Sequence, residues 1–352
     1  MKIYLPGRKL SAVLLIAAIC CLGLAACKKE TKAAPAKPPF KLVTPNHLFG
    51  IASLDPQHIW IVGFDSAIVH SADGGANWAP QKSPVTNSLC DIVFVNPETG
   101  WAVGRAGTIL HTADGGKTWV KQNSGDANHL FAVSFADARH GWAVGDLGTI
   151  LATADGGATW QKQGAGEDKI YNDVFFADAQ HGFVVGEYGT ILATTDGGAT
   201  WQKQECKDII PVVSESEWEA FAPSLYGVHF SDAKNGLACG MDGTIIATAD
   251  GGTTWKKVKN PAESSKVTLY KIKCSSTTCL VAGQKGMSLV SADGGATWQM
   301  TASSETTKSW LRDMDMANAA NGFAVGARGT ILKTADGART WTMLSGIPVA
   351  KN

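Results

Sequence analysis

One octet, Ser71-Ala72-Asp73-Gly74-Gly75-Ala76-Asn77-Trp78, returns six more times, opening at Thr112, Thr153, Thr194, Thr248, Ser291 and Thr334. Its closing tryptophans, Trp78, Trp119, Trp160, Trp201, Trp255, Trp298 and Trp341, stand 41, 41, 41, 54, 43 and 43 residues apart. Self-similarity at a period of about 40 residues marks solenoids, propellers or arrays. In the third unit, residues 129–135 alternate apolar and small side chains, as a half-buried strand does. Residues 141–145 (GWAVG) read as a strand buried on both faces, Asp146-Leu147-Gly148 as a tight turn, and 149–153 as a third strand. Asp155-Gly156-Gly157 then turns the chain into a fourth, 159–163. Four antiparallel strands per unit predict an all-β chain, a seven-bladed β-propeller over residues 42–350. A parallel solenoid would need shorter repeats, and a helical array would show a 3.6-residue period that is absent.

The octet matches the Asp-box, or bacterial neuraminidase repeat, S-x-D-x-G-x-T-W. A carboxylate at its third position can accept backbone N–H groups inside the turn, and the tryptophan can wedge apolar surface between blades. Asp73, Asp114, Asp155, Asp196, Asp250, Asp293 and Asp336 are accordingly read as structural. Placed one per blade around a rim, they are too far apart to converge on an ion or a substrate.

At the N-terminus, Lys2, Arg8 and Lys9 precede an apolar run that ends in Leu24-Ala25-Ala26-Cys27. This resembles the lipobox of bacterial lipoproteins. It implies a signal peptide over 1–26, acylation of Cys27, and cleavage just before it. An ordinary signal peptide or an N-terminal anchor are the alternatives. Residues 28–41 (KKETKAAPAKPPFK) cannot build a core and read as a solvated tether. Lys28 at the position after the lipidated cysteine leans, by Gram-negative sorting rules, towards the periplasmic side of the outer membrane.

The chain has 31 basic and 31 acidic residues, so loss of Lys2, Arg8 and Lys9 leaves the mature part slightly acidic. It carries no electrostatic footprint for nucleic acid. Of eight cysteines, Cys20 and Cys21 leave with the leader and Cys27 takes lipid. Aligned on Gly283, Cys279 replaces the glycine that opens a second strand and Cys274 the last apolar residue of the first. The two then face one another across a shortened hairpin, close enough to bridge. Cys90, Cys206 and Cys239 are read as unpaired.

No constellation for catalysis emerges. A sialidase, the obvious Asp-box enzyme, needs three arginines gripping a carboxylate, a tyrosine nucleophile with a glutamate, and an acid. Of the arginines available, Arg105, Arg139, Arg312, Arg328 and Arg339, Arg139 and Arg339 fall at the opposite end of the expected torus from Arg105 and Arg328. His70 and His111 are single residues in successive blades, and His129 and His140 have no partner at zinc spacing. No glycine-rich loop opens a helix. The chain is therefore read as a non-enzyme without metal or cofactor, a carbohydrate-binding or sialidase-like propeller being the alternative.

The full unit, V-x-F-x-D-x-x-x-G-W-A-V-G-x-x-G-T-I-L-x-T-x-D-G-G-x-T-W, stands at Val133 to Trp160 and, less perfectly, in every other unit. It resembles the photosystem II stability and assembly factor family over residues 40–347. The resemblance implies a non-enzymatic propeller, lipid-anchored or lumenal, that holds an assembling reaction-centre subunit through an arginine-rich patch. This chain departs from that pattern, with only Arg105 and Arg328 in homologous turns.

Strand order places the uniform Asp-boxes at one end of the torus. The turns after second strands lie at the other, and they vary: Phe64-Asp65, Arg105-Ala106, Asp146-Leu147, Glu187-Tyr188, Met241-Asp242, Gln284-Lys285 and Ala327-Arg328. The 54-residue spacing adds an insertion, 205–224, at the same end, holding Pro211, Trp218, Phe221 and the acidic run Glu215, Glu217 and Glu219. Uniform fold signals opposite variable side chains suggest scaffold and reader; the plainer reading is merely solvated turns. The expected anchors for a protein partner are Trp218 and Phe221, flanked by Tyr188, Arg105, Lys285 and Arg328.

Overall fold

The structure is a computed structural model that describes residues 44, 46–164, 167–210, 221–301 and 307–345. The leader, Cys27, the tether and residues 211–220, Trp218 among them, lie outside the described residues. Among the described residues, twenty-eight strands form seven four-stranded antiparallel sheets, each keeping chain order and each built from one contiguous stretch. They span 48–80, 89–122, 130–163, 171–204, 225–257, 269–300 and 311–345, here blades 1 to 7. First strands lie against one another all round the ring, Leu311–Met316 of blade 7 meeting Leu48–Ser53 of blade 1. The chain is an all-β, seven-bladed propeller.

Strand patterns follow burial. Second strands such as Gly141–Gly145 are buried at every residue, whereas outer strands such as Gln161–Gln163 are mostly exposed. Gly141 lies opposite Phe135 in the ladder, and a Cβ there would stand 2.3 Å from the phenyl ring. That aromatic–glycine pair recurs as Phe94/Gly100, Phe176/Gly182 and Phe230/Gly236. In blade 6 the same rung pairs Cys274 with Cys279, and their sulfurs are bonded at 2.04 Å. Cys90, Cys206 and Cys239 are free thiols.

The blades are joined by a repeated side-chain lock. Trp60, Trp101 and Trp142 donate Nε1–H to the carbonyls of Gly115, Gly156 and Gly197 in the next blade's octet, at 3.1, 3.1 and 2.9 Å. Gln81, Gln122 and Gln163 donate Nε2–H to the same three oxygens. Trp119, Trp160 and Trp255 close the circuit by donating to Oε1 of Gln81, Gln122 and Gln204. Phe135 stacks on Trp101 at 3.6 Å and meets Trp160 edge-on at 6.0 Å. Such aromatic contacts add about 0.5–1.5 kcal/mol to the burial itself.

From blade 4 onward the lock changes. Phe183, Leu237, Leu280 and Phe323 replace the second-strand tryptophan, and from blade 5 Val258, Thr301 and Leu344 replace the glutamine. Between blades 7 and 1, Lys333 Nζ donates to the Gly74 carbonyl at 2.8 Å instead. Ring closure also uses carboxylates. Asp313 Oδ2 accepts the Ile51 N–H at 2.9 Å and Asp315 Oδ2 that of Ser53 at 2.8 Å. At the opposite rim Gly329 donates to the Asn46 carbonyl, and Arg328 N–H to His47 Nδ1.

Candidate functional site

Each octet spends its carboxylate on its own turn. Asp155 Oδ1 accepts the Thr159 N–H at 2.9 Å and the Thr153 hydroxyl at 2.8 Å, while Oδ2 accepts the Thr159 hydroxyl at 2.7 Å. The Thr153 oxygen in turn accepts the Gly157 N–H. Equivalent bonds hold Asp73, Asp114, Asp196, Asp250, Asp293 and Asp336. The backbone N–H and hydroxyl of Thr159 hold Asp155 down at about 2, and the hydroxyl and N–H of Thr200 do the same for Asp196. These carboxylates are charged, satisfied and turned inward on the motif.

The other end has the opposite character. In all seven turns after second strands, the second residue is left-handed without being glycine: Asp65, Ala106, Leu147, Tyr188, Asp242, Lys285 and Arg328, with φ between 51° and 55°. All seven side chains are exposed. A left-handed residue carrying a Cβ costs roughly 1–2 kcal/mol, yet nothing in the fold selects which side chain sits there. The position is fixed in backbone and free in chemistry.

Among the expected anchors, Tyr188 and Phe221 come together. Their ring centroids are 4.7 Å apart, and they remain 51% and 57% exposed. The flanks of the insertion hold Phe221 in place. Cys206 and Ile209 are buried with Phe183, Leu225 and Trp255, and the Tyr188 N–H reaches Ser224 Oγ. Arg105, Lys285 and Arg328 are exposed on the same end but on blades 2, 6 and 7, so they do not join Tyr188 in one patch. Arg312 instead lies over the Tyr270 ring at 5.2 Å.

The inner strands hold a charge network that sequence reasoning missed. Lys271 Nζ bonds Asp173 Oδ1 at 3.0 Å, with both side chains nearly buried. Asp91, Asp173 and Asp313 each accept a backbone N–H from the next blade, those of Val133, Val228 and Ile51. Burial pushes Asp313 up to about 7 and raises Asp91 as well. Burial also opposes the charge on Lys271, but Asp173, Asp91 and Asp313 together hold it above the ordinary lysine range. Burial, aided by Lys273 and Lys271, holds His229 neutral with a pKa of about 3. The cavity beside this network, walled by Phe49, Tyr226, Tyr270 and Arg312, measures about 20 Å³, room for no more than about one water. These groups join blades and offer no cleft for a sugar ring. The detectable signal was alignment of the inner strands, whose third position reads Gly50, Asp91, Ala132, Asp173, Gly227, Lys271 and Asp313.

Among the described residues, no group of three or more His, Cys, Asp or Glu could hold a metal ion. His70 stacks on Trp60 at 4.5 Å, His111 lies tilted against Trp101 at 5.0 Å, and burial lowers both pKa values.

Solved structures with this architecture include YCF48 bound to D1 peptide, with TM-score 0.68, 19% identity and coverage of 86% of this chain and 96% of that one. YCF48 from Cyanidioschyzon merolae gives 0.67, 19%, 84% and 97%. An ancestral GH74 enzyme gives 0.64 at 11% identity, covering 87% of this chain and 47% of its own. At these identities the likeness is one of fold. No curated protein sequence matches. The family model described as Photosynthesis system II assembly factor YCF48 matches residues 31–124, 121–172, 164–219 and 210–306. With that model running through most of the chain, and the blades it describes present in the structure, the protein belongs to the Photosynthesis system II assembly factor YCF48 family.

Proposed function

We propose that this chain is a non-enzymatic interaction propeller of the cell envelope that assists assembly of a protein complex. In this reading Cys27 carries lipid, the domain stands on the periplasmic side of the outer membrane, and the variable end holds a partner polypeptide. The observation that carries it is the contrast between the two ends. The seven octet carboxylates close on their own turns, while seven turns display unrelated side chains on one repeated backbone, with Tyr188 and Phe221 paired in the open. A YCF48 structure with a bound D1 peptide supports a polypeptide as ligand class. The likeness to a GH74 enzyme concerns the fold, and the carboxylates nearest the axis are occupied by Lys271 and by backbone N–H groups.

Affinity purification from detergent-solubilised membranes tests this. Wild type should retain a partner that Tyr188→Ala/Phe221→Ala loses, while Lys162→Ala, on an outer strand, retains it. Partner capture unchanged in the double variant would refute the assignment. Cys27→Ser should release the chain from membranes; palmitate labelling that survives the substitution would refute the anchor.

A further inference from the structure

A pocket of about 460 Å³ opens between blades 3 and 4 at the variable end, walled by Asp146, Leu147, Asp168 and Glu187 together with His129 and Lys169. Its charge is one-sided. Lys169 is already paired with Glu167 at 2.9 Å. His129 Nδ1 accepts the Ala106 N–H. Glu187 accepts the Ile170 N–H through Oε2 alone, and Asp146 and Asp168 make no side-chain hydrogen bond or ion pair among the described residues.

Apolar surface adjoins these carboxylates. Leu147, on the pocket wall, is 54% exposed, and Tyr188, next in chain to Glu187, is 51% exposed. Phe221 stands against Tyr188, and Met241, whose N–H bonds the Ser224 carbonyl, is 39% exposed on the next blade. Large apolar side chains exposed at one end of a fold mark interaction sites, and unpaired carboxylates on the same end define the sign of what they meet.

We propose that this surface takes a partner segment in which an arginine or lysine stands next to aromatic or aliphatic residues. The cation enters the pocket between blades 3 and 4, and the apolar neighbours cover Leu147, Tyr188 and Phe221. The inference rests on the reading that this end binds a polypeptide, and it specifies the chemistry. Anionic lipid headgroups and nucleic acid are repelled by the same carboxylates.

A phage-displayed random dodecapeptide library, selected on the full-length chain, tests it, with counter-selection on Asp146→Asn/Asp168→Asn/Glu187→Gln. Survivors should be rich in Arg or Lys beside aromatic or aliphatic residues. One such synthetic peptide should bind the triple variant at least about tenfold more weakly, as should Tyr188→Ala/Phe221→Ala, with melting curves unchanged. Raising salt should weaken wild-type binding, as screening of a charge pair requires. Acidic or uncharged survivors, no survivors, or equal binding to the triple variant would overturn the proposal. So would self-association of the chain that the triple variant abolishes, since the occupant would then be a second copy. Survivors that bind this end without basic residues would leave its role as a polypeptide reader standing and remove only the charge assignment.

Discussion

Ala338 fills, with one methyl group, the space that a glutamine amide would take if Thr301 were the glutamine found at that position in blades 1 to 4. At Gly116 and Gly157, its counterparts, a Cβ would stand 2.1 Å from Oε1 of Gln81 and Gln122. Ala338 is fully buried at φ +64°, and Trp341 Nε1, which the amide would have satisfied, has no partner. Loss of the glutamine and gain of the methyl are two halves of one exchange across the interface between blades 6 and 7.

That exchange is testable. Thr301→Gln alone should overpack the interface and cost about 1–3 kcal/mol. Ala338→Gly in the same chain should remove the clash and the left-handed Cβ, and let the introduced amide bridge Trp341 and the Gly337 carbonyl. Denaturant titrations of the two single variants and the double should give a favourable coupling of about 1–3 kcal/mol; additive effects would refute the exchange.

Gln122→Ala should be far costlier than Gln299→Ala. Gln122 links Trp160 Nε1–H to the Gly156 carbonyl inside an interface, so its loss orphans the Trp160 donor, at roughly 1–3 kcal/mol, while the Gly156 carbonyl keeps the Trp101 indole N–H. Gln299 is exposed on an outer strand, and its loss should stay within about 0.5 kcal/mol. Equal melting temperatures for the two variants would count against the lock.

The axial carboxylates predict a pH signature. Asp313 titrates near 7 in the fold, above an unfolded carboxyl, so the folded state holds the proton more tightly. Its contribution is complete below about pH 4 and is lost as pH rises through about 7. Asp313→Asn should therefore flatten the fall in melting temperature between pH 5 and 8, by an effect on the order of 2 kcal/mol. The octet aspartates act in reverse. Asp155, Asp196 and Asp293, at about 2, stabilise above the ordinary carboxyl range and lose that contribution in acid. A wild-type slope unchanged by Asp313→Asn would refute the first assignment.

Thiol chemistry should separate two classes of cysteine. Native alkylation of the purified protein should label Cys90 slowly, since burial pushes its thiol up to about 11, and Cys239 hardly at all. Denatured protein should label Cys90, Cys206 and Cys239 but not Cys274 or Cys279. Opening that bridge should cost about 2 kcal/mol or less, because the loop it closes is so short. Label on either residue of the pair before reduction would contradict it.

Much of this was readable from spacing. Because each octet uses local hydrogen bonds, its residues carry their partners with them, and the strands between octets follow by alternation. The pairing of Cys274 with Cys279 was likewise visible, as a substitution at one rung of a repeated ladder. What spacing could not reveal is contact between blades at the axis. Asp91, Asp173, Asp313 and Lys271 hold the third position of their inner strands, so spacing aligns them, but only ring closure brings their side chains together. The lock was half visible: the closing tryptophans stood out, but nothing in the spacing singled out Gln81 and its counterparts. Tyr188 and Phe221 were each expected at the reading end, yet their contact depends on Cys206 and Ile209 seating the flank of the insertion.

The place where the chain enters the ring bears on how the propeller can be handled. Asn46 and His47 lie against Gly329 and Arg328, at the end that carries the seven variable turns. Whatever is attached directly ahead of Asn46 therefore leaves the torus beside the displayed side chains. A bulky tag fused there would crowd the very surface that a binding experiment needs open.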